Sequence, residues 1–351
     1  MSRRDDGGND GSLTTLWVCL GFVPLVAVFA TVATYIRMEL PNNVKGPEEA
    51  NVGQCPQGYF KLGEMSDCLP WLSCEVIKRD IIVRELIGQG AVKQVFLALW
   101  RGNKVALSRL AVPKFKADFI HGLEMLKGLQ SVNVVKLLGF CEENHSILTK
   151  YHPLGSLNNL NAVMEQERYL GLNTWRTRFH LVIEYVSVLN YLHNSPLGTR
   201  VMCDSNDLDK VLSQYLLTSE LHLIVNDLDA LPVVNRSSGV LVKCGHRELS
   251  GHFVAPEQLW PYAHELPFSD HLMPSYDEKT DVWKIPNVVD FLLGQVEGSD
   301  VVRFHLFELH RDCKRETPQH RPSAQTVLQT YKAVYASLTQ EADVPDPRND
   351  L

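Results

Sequence analysis

Two glycines in the stretch Gly88-Gln89-Gly90 have the spacing of a loop that binds phosphate groups. Glycine lets backbone amides approach a phosphate closely, because it has no side chain to hold the ligand away. The pair alone is weak evidence, since glycine is common in turns. Here it lies between two predicted strands and does not open a helix, which argues against a dinucleotide-binding fingerprint. The spacing therefore predicts a glycine-rich flap over nucleotide phosphates.

Further along the chain, several short motifs resemble the landmarks of a protein kinase domain, from about residue 83 to residue 338. The triplet Ala255-Pro256-Glu257 is intact, and Asp281 stands where kinases have a buried aspartate on a central helix. Arg321 matches the arginine that pairs with the glutamate of the triplet. A single match would mean little, but these occur in the family's order. The resemblance implies an α+β, bilobal, kinase-like fold with a small β-rich lobe and a large helical lobe, in which these three landmarks are structural.

Both nucleotide-binding motifs depart from the kinase pattern. The flap motif G-x-G-x-x-G-x-V reads Gly88, Gly90, Lys93 and Val95, so a lysine replaces its third glycine. The following strand motif V-A-I-K ends in Ser108 and so lacks the lysine that binds the nucleotide. Compared with the kinase pattern, the strand therefore lacks a cation and the flap has an additional one.

We predict that Lys93 supplies the missing positive charge. A lysine side chain is a flexible point charge, and from the second strand of the flap it can point down to the phosphates. Glu124, on the predicted helix in ADFIHGLEMLKGL, matches the glutamate that steadies this lysine in kinases, and we expect it to pair with Lys93. The alternatives are a chance surface lysine and a glutamate on a solvated helix face.

The predicted catalytic loop is also altered. The kinase motif H-R-D-L-x-x-x-N aligns Asp204 with its aspartate, preceded by Met202-Cys203 in place of His-Arg. The sequence QYLLT resembles the strand that follows the motif, which places Gln214 at the metal-binding asparagine after a short insertion. Asp227 then matches the aspartate of D-F-G, with Leu228-Asp229 in place of Phe-Gly.

Phosphoryl transfer requires a positioned nucleophile, metal ions and a cation on the phosphates. The resemblance implies that Asp204 accepts the proton of the substrate hydroxyl, with Asp207 or Asp209 as the next candidates. Asp227 and Gln214 would hold Mg²⁺ or Mn²⁺, and the nucleotide would be ATP. The predicted nucleotide-binding residues are Gly88, Gly90, Lys93, Ala106, Glu124, Lys150, His152, Gln214 and Asp227.

Residue patterns identify the elements that must position these side chains. Strands are predicted over residues 95–99 and 104–107, and the intervening RGN is a turn signal. Residues 175–193 have apolar side chains at helical spacing, as expected of a long buried helix before the catalytic loop. The resemblance places a strand before a hinge at Lys150-Tyr151-His152.

The N-terminal region predicts a membrane anchor. Residues 12–36 contain no charged side chain, and a helix needs about 20 residues to cross the hydrocarbon core. We predict an uncleaved signal anchor over residues 16–36 after a cytosolic head of residues 1–15, and a polar, proline-interrupted stem over 37–54. A cleaved signal peptide is the alternative, although its apolar region usually has only about 7–15 residues.

Cysteine usage indicates the compartment. Seven of the eight cysteines follow the predicted anchor, three of them in a collar at residues 55–82 that precedes the kinase domain (83–338) and a tail (339–351). Their spacing lacks the C-x-x-C pairs and histidines of a zinc site. An oxidising lumen fits better, so we predict a type II protein of the endoplasmic reticulum membrane. Because seven is odd, at least one of these cysteines should lack an intramolecular partner.

Two further features fit a luminal body. The sequons at Asn144 and Asn235 are candidate glycosylation sites, although sequons also arise by chance.

Cys203 replaces the arginine that, in many kinases, binds a phosphorylated activation loop, so we expect no phosphorylation switch in this loop. Cys203 and Cys244 flank the catalytic loop and activation segment and are a candidate disulfide.

The chain is also similar, over essentially its whole length, to the protein O-mannose kinase family. The resemblance rests on GQGAVKQVFL, VMCDSND, NDLDALP and FVAPEQLWPY behind an anchor and a cysteine-rich collar. It implies transfer of phosphate from ATP to the 6-hydroxyl of mannose in a GalNAc-GlcNAc-mannose trisaccharide on α-dystroglycan.

A different class of protein remains open from the residues alone. A pseudokinase that binds a secretory glycoprotein without transferring phosphate would also lack the strand lysine and the H-R-D and D-F-G motifs. Lys93, Asp204 and Asp227 argue against it. The formal net charge of −7, with no basic run, excludes a nucleic-acid-binding protein.

Overall fold

The structure is a computed structural model that describes residues 55–262 and 265–342. The predicted head (1–15), signal anchor (16–36) and stem (37–54), and the tail after residue 342, lie outside the described residues. In the described part, no helix combines the length and the apolar composition that crossing a bilayer requires. The membrane anchor therefore stays a prediction.

A five-stranded antiparallel sheet forms the small lobe, with strand order β3-β4-β5-β7-β6. The collar and this lobe contain, in chain order, β1 (Tyr59–Phe60), β2 (Leu69–Pro70), α1 (Cys74–Asp80), β3 (Ile82–Gln89), β4 (Lys93–Trp100), β5 (Asn103–Leu110), α2 (Lys116–Gly128), β6 (Leu137–Cys141) and β7 (Ser146–Lys150). Lys93 is the first residue of β4, the second strand of the flap.

The hairpin that joins β4 to β5 turns as its sequence predicts. Trp100 pairs with Asn103, so only Arg101 and Gly102 form the loop. Both have positive φ angles, 48° and 80°, as a two-residue hairpin turn of type I′ requires. Glycine adopts this backbone without strain, and the tight turn sets the register that aligns the flap strand with β5.

The collar packs directly against the edge of the small lobe. Leu72 forms a parallel bridge with Gly139 of β6, and a Cβ atom at Gly139 would lie 2.6 Å from the Leu72 Cβ. Only glycine allows this approach of the two backbones. The Cys74–Cys141 disulfide then ties α1 to β6, and Phe60 is fully buried in the same cluster of apolar residues. The collar therefore completes the core of the small lobe.

Helices dominate the large lobe. In chain order its elements are α3 (Leu160–Met164), α4 (Glu167–Leu170), α5 (Trp175–His193), β8 (Thr199–Arg200), α6 (Leu208–Ser213), β9 (Tyr215–Leu217), β10 (Leu223–Val225), β11 (Val233–Val234), α7 (Lys279–Leu293), α8 (Ser299–Cys313) and α9 (Ala324–Ala342). β9 and β10 form an antiparallel hairpin. The predicted α+β, bilobal fold is confirmed, with a β-sheet small lobe and a helical large lobe.

The predicted long helix is α5, which begins at Trp175 and ends at His193. Thr174 caps it, because the side-chain oxygen accepts a hydrogen bond from the backbone amide of Thr177. Apolar side chains such as Phe179, Val186 and Leu189 are buried at helical spacing. They place α5 at the centre of the large lobe, directly before the catalytic loop.

The predicted structural landmarks occupy the expected places. Arg321 forms two parallel hydrogen bonds to Glu257, at 2.6 Å and 2.8 Å, in the planar geometry that arginine and a carboxylate favour. Asp281 is 2% exposed, and its Oδ2 accepts a hydrogen bond from the Met202 amide at 3.1 Å and lies 3.1 Å from His193 Nε2. Asp281 thereby holds the backbone just before Asp204.

Candidate active site

The Lys93 side chain contacts two carboxylates, one of which belongs to the predicted metal-binding residue Asp227. Its Nζ atom is 2.8 Å from Asp227 Oδ1 and 2.9 Å from Asp229 Oδ1. The flap positions it, because the Gly90 amide donates to the Lys93 carbonyl at 2.8 Å and Gly88 pairs with Val95 across the hairpin. The side chain is only 15% exposed, so this charge acts in a partly closed cleft. Lys93 thus reaches from the flap to Asp227, the predicted metal-binding carboxylate, and its contact with the phosphates stays a prediction.

The two carboxylates hold Lys93 in its charged form. Burial alone would lower the pKa of Lys93, but attraction by Asp227 and Asp229 outweighs it and holds the pKa well above its usual value. Burial would raise the pKa of Asp227, and the charge of Lys93 outweighs that effect and lowers it. Asp227, a candidate metal-binding residue, is therefore ionised and lies beside the charged side chain of Lys93.

Asp229 behaves differently from Asp227, although both contact the same ammonium. Burial is the main cause that raises the pKa of Asp229 to about 7, and the neighbouring charge of Asp227 adds to it, against the opposing effect of Lys93. Two carboxylates that share one cation cannot both ionise without cost. Asp229 therefore holds a proton at mildly acidic pH, while Asp227 stays ionised.

The predicted pairing of Glu124 with Lys93 is wrong. Glu124 forms an ion pair with Lys127 at 2.9 Å, and its side chain is 55% exposed. The reason is helical geometry: Gly122 of α2 faces Asp229, and a residue two positions away points to nearly the opposite side of a helix. Asp229 therefore forms the contact with Lys93 that we predicted for Glu124. The signal in the sequence was the aspartate at the glycine position of D-F-G.

Asp204 lies in the loop before α6 and is accessible. Its Oδ2 is 2.7 Å from Lys210 Nζ, and the Asp204 side chain is 40% exposed. The two alternative aspartates have other surroundings. Asp207 caps α6 by accepting a hydrogen bond from the Lys210 amide at 2.8 Å, and Asp209 lies on α6 itself. Of the three, the structure therefore favours Asp204 as the residue that meets an acceptor hydroxyl.

Lys210 is a second cation that sequence reasoning missed. It contacts Asp204, and its charge also contributes to the lowered pKa of Asp227. It lies within the short helix α6, which is an insertion relative to the kinase motif, so the motif has no position that corresponds to Lys210. Lys210 links the candidate base to the candidate metal-binding carboxylate.

Gln214 is where the sequence places it, directly before β9. Its backbone carbonyl accepts hydrogen bonds from the amides of Asn226 and Asp227, at 2.8 Å and 3.3 Å. Its side-chain Nε2 donates to the Lys210 carbonyl at 3.1 Å, which leaves Oε1 as the acceptor atom of the amide. Carboxylate and amide oxygens are the ligands that Mg²⁺ prefers, so Asp227 and Gln214 fit a divalent cation.

Buried hydrogen bonds and a disulfide hold the catalytic loop in place. Lys284 of α7, 1% exposed, donates to Ser205 Oγ at 2.5 Å, and Ser205 Oγ donates to the Met202 carbonyl at 2.5 Å. The Cys203–Cys244 disulfide fastens the same loop to the activation segment, as expected. These contacts restrict the backbone on both sides of Asp204.

The remaining nucleotide-binding candidates line the back of the small lobe and the hinge. Ala106 is buried in β5 between Leu97 and Thr149 of the neighbouring strands, and Lys150 ends β7. His152 is buried, and burial, reinforced by the charge of Lys150, lowers its pKa to about 4, so its ring is neutral. Its Nε2 has no hydrogen-bond partner among the described residues. A buried polar atom without a partner at the hinge fits a position that a bound nucleotide would complete.

The chain is similar to known protein kinases over most of its length. Residues 81–284 match the family model described as "Protein tyrosine and serine/threonine kinase". A protein O-mannose kinase of Gallus gallus is 60% identical over 317 residues, which cover 90% of each chain. Those of Macaca fascicularis and Xenopus laevis are 56% and 55% identical and cover 90% and 95% of this chain. With the kinase fold, a lysine in the flap and identity of this degree over 90–95% of its length, the chain belongs to the protein O-mannose kinase family.

Proposed function

We propose that this chain transfers the γ-phosphate of ATP to the 6-hydroxyl of an O-linked mannose, within a GalNAc-GlcNAc-mannose trisaccharide on α-dystroglycan. Family membership supports the mannose acceptor. One structural observation supports catalysis over an inactive scaffold: Lys93 contacts Asp227 and so places a cation at the predicted metal-binding carboxylate. The strand lysine is missing, but its charge is present in the site.

The residues of the site divide the work of phosphoryl transfer. Asp204 accepts the proton of the acceptor hydroxyl and orients its oxygen, a role for which its exposed carboxylate is suited. Lys93 and Lys210 offset negative charge on the phosphoryl group. Asp227 and Gln214 would hold the divalent cation, which neutralises charge on the phosphates when it is bound.

The direct test is phosphorylation of a defined acceptor. The purified chain is incubated with ATP, Mg²⁺ and the free trisaccharide, and the product is examined by mass spectrometry and by NMR at C6 of mannose. We expect one phosphate per trisaccharide and none on an acceptor with 6-deoxymannose. A chain that binds the trisaccharide but leaves it and ATP unchanged would be the glycoprotein-binding scaffold instead.

We also propose that the body lies in the lumen of the endoplasmic reticulum behind a type II signal anchor. Three disulfides support an oxidising compartment: Cys55–Cys68, Cys74–Cys141 and Cys203–Cys244. Cys313 is the buried cysteine without a partner in the described part, as the odd number requires. Of the sequon residues, Asn144 is exposed in a turn and Asn235 is exposed at the start of a short 3-10 helix, so both are accessible to a glycan.

Intact microsomes test this topology. Protease added outside should spare the body, and glycosidase should increase its electrophoretic mobility. Replacing Asn144 and Asn235 by Gln, singly and together, shows which sequon carries a glycan. A body that protease digests and that carries no glycan would place it in the cytosol.

A further inference from the structure

Two histidines and a glutamate meet on the surface of the large lobe, outside the active site. His180 and Glu184 lie one turn apart on α5, and His222 directly precedes β10. Glu184 Oε1 is 3.3 Å from His180 Nε2 and 2.6 Å from His222 Nδ1. The three ligand atoms lie within 4.8 Å of one another. Three potential metal ligands thus converge from two separate elements.

Hydrogen bonds outside the group hold two of its members in place. Glu184 Oε2 accepts a hydrogen bond from the Leu223 amide at 2.8 Å, so Oε1 is turned towards the two imidazoles. The Thr218 hydroxyl accepts from the His222 amide at 3.0 Å and fixes the turn that carries this ring. Bonds of this kind, which orient a ligand without touching the metal, are characteristic of protein metal sites.

We propose that His180, Glu184 and His222 bind one zinc ion. Two imidazoles and a carboxylate are a known zinc ligand set, and tetrahedral geometry with bonds of about 2.0–2.1 Å places ligand atoms about 3.3 Å apart. The contact of Glu184 with His180 already has this length, and small rotations of the exposed His222 ring would adjust the other two. Both histidine side chains are about half exposed, so water can complete the coordination.

A plain hydrogen-bonded pair elsewhere in the chain shows what distinguishes this group. His246 Nδ1 lies 2.7 Å from Asp270 Oδ2, and the His246 side chain is 91% exposed. That pair has one imidazole, whereas Glu184 is only 18% exposed and receives two. His246 therefore provides a matched control that has the same contact but not the convergence of three ligands.

The position of the site suggests what the metal would do. The β9–β10 hairpin runs from His222 to the active site, where Gln214 precedes one strand and Asp227 follows the other. Strands rise about 3.3 Å per residue, so the five residues from His222 to Asp227 span at most roughly 16 Å. Zinc would fasten the outer end of this hairpin to α5 and so steady the element that carries both candidate magnesium ligands. This inference does not depend on the proposed phosphoryl transfer.

Zinc binding can be measured without any assay of activity. The full-length chain, purified without a polyhistidine tag and treated with a chelator, is titrated with Zn²⁺ in excess Mg²⁺, which occupies the active-site carboxylates. Competition with a zinc-binding dye gives stoichiometry and affinity. Co²⁺, bound in place of Zn²⁺, reports tetrahedral coordination by its visible absorption. The variants are His180→Ala, His222→Ala and Glu184→Gln, with His246→Ala as the control.

We expect one zinc ion per wild-type chain, a raised melting temperature in zinc, and cobalt absorption in the visible range. His180→Ala and His222→Ala should each weaken binding at least about tenfold and abolish the absorption, since even partners that do not touch the metal contribute about 10–100-fold. Glu184→Gln keeps an acceptor for the Leu223 amide, so it carries the test if an alanine variant fails to fold. Wild-type protein that binds no zinc, or a Glu184→Gln or His222→Ala chain with wild-type affinity, overturns the proposal.

Discussion

The Asp229 carboxylate occupies the space beside Gly122 of α2, where an added Cβ atom would lie 2.1 Å from Asp229 Oδ1. Gly122 and Asp229 therefore depend on each other, because the carboxylate fits only beside a residue without a side chain. Asp229 reaches Lys93 because the helix leaves room for it. In this chain a carboxylate from the activation segment, and not one from the helix, steadies the relocated lysine.

This packing predicts a large effect of one methyl group. Gly122→Ala should displace Asp229 or push α2 outwards, at a cost of about 1–3 kcal/mol in the free energy of unfolding, and it should lower turnover by disturbing Lys93. Gly171→Ala is the control, since a Cβ there has no neighbour within 4 Å. Denaturation and kinetics on both variants check this, and equal behaviour of the two would contradict the packing.

Lys93 should carry the charge that the strand lacks. Lys93→Ala is expected to reduce kcat by on the order of a hundredfold, because an ammonium in a partly closed cleft stabilises charge on the phosphoryl group. Lys93→Arg should restore only part of this, since a planar guanidinium does not replace a compact ammonium. Ser108→Ala should have little effect. Wild-type kcat in Lys93→Ala would refute the role of the lysine.

Asp204 and Asp207 should separate catalysis from folding. Asp204→Asn is expected to leave ATP binding largely intact and to remove most turnover, because it acts on the transition state. Asp207→Ala removes the cap of α6 and should cost about 1 kcal/mol of stability, with a smaller loss of turnover. Binding, kinetics and melting temperature on both variants check the assignment. The reverse pattern would move the candidate base to Asp207.

Asp229 predicts a definite pH dependence of stability. Its pKa is raised to about 7 in the folded chain, from an ordinary value near 4. Between these values the folded state keeps a proton that the unfolded state has lost, so the contribution to stability is present at low pH and declines as pH rises to about 7. Asp229→Asn should remove this decline. Urea denaturation of both proteins from pH 4 to pH 8 checks it, and parallel curves would contradict it.

The disulfide beside the catalytic loop should contribute more stability than the disulfide within the collar. Cys203–Cys244 spans 41 residues and Cys55–Cys68 spans 13. Loop-closure entropy then predicts losses of about 4 and about 3 kcal/mol when each pair is changed to serine. Removing Cys203–Cys244 should also lower turnover, because it frees the backbone next to Asp204. Denaturation and kinetics on the two double variants decide this.

Local patterns determined much of this protein. Motif order along the chain predicted the two lobes and the structural roles of Asp281, Glu257 and Arg321, and apolar spacing predicted the extent of α5. The lysine in the flap and the serine on the strand were sufficient to predict that Lys93 is a functional cation, although its carboxylate partners were not predicted. Each of these depends on residues close in sequence or on a spacing that the fold preserves.

Only the tertiary structure decided which carboxylates meet the lysine. Glu124 and Gly122 are two residues apart, and the rotation of α2 about its axis, set by packing, turned the glycine inwards and the glutamate outwards. Lys210 contacts Asp204 from α6, an inserted helix that has no counterpart in the kinase motif. The meeting of His180 and His222 likewise depends on how a hairpin packs against α5. Such contacts depend on how elements pack or on an inserted element, so no motif in the sequence predicts them.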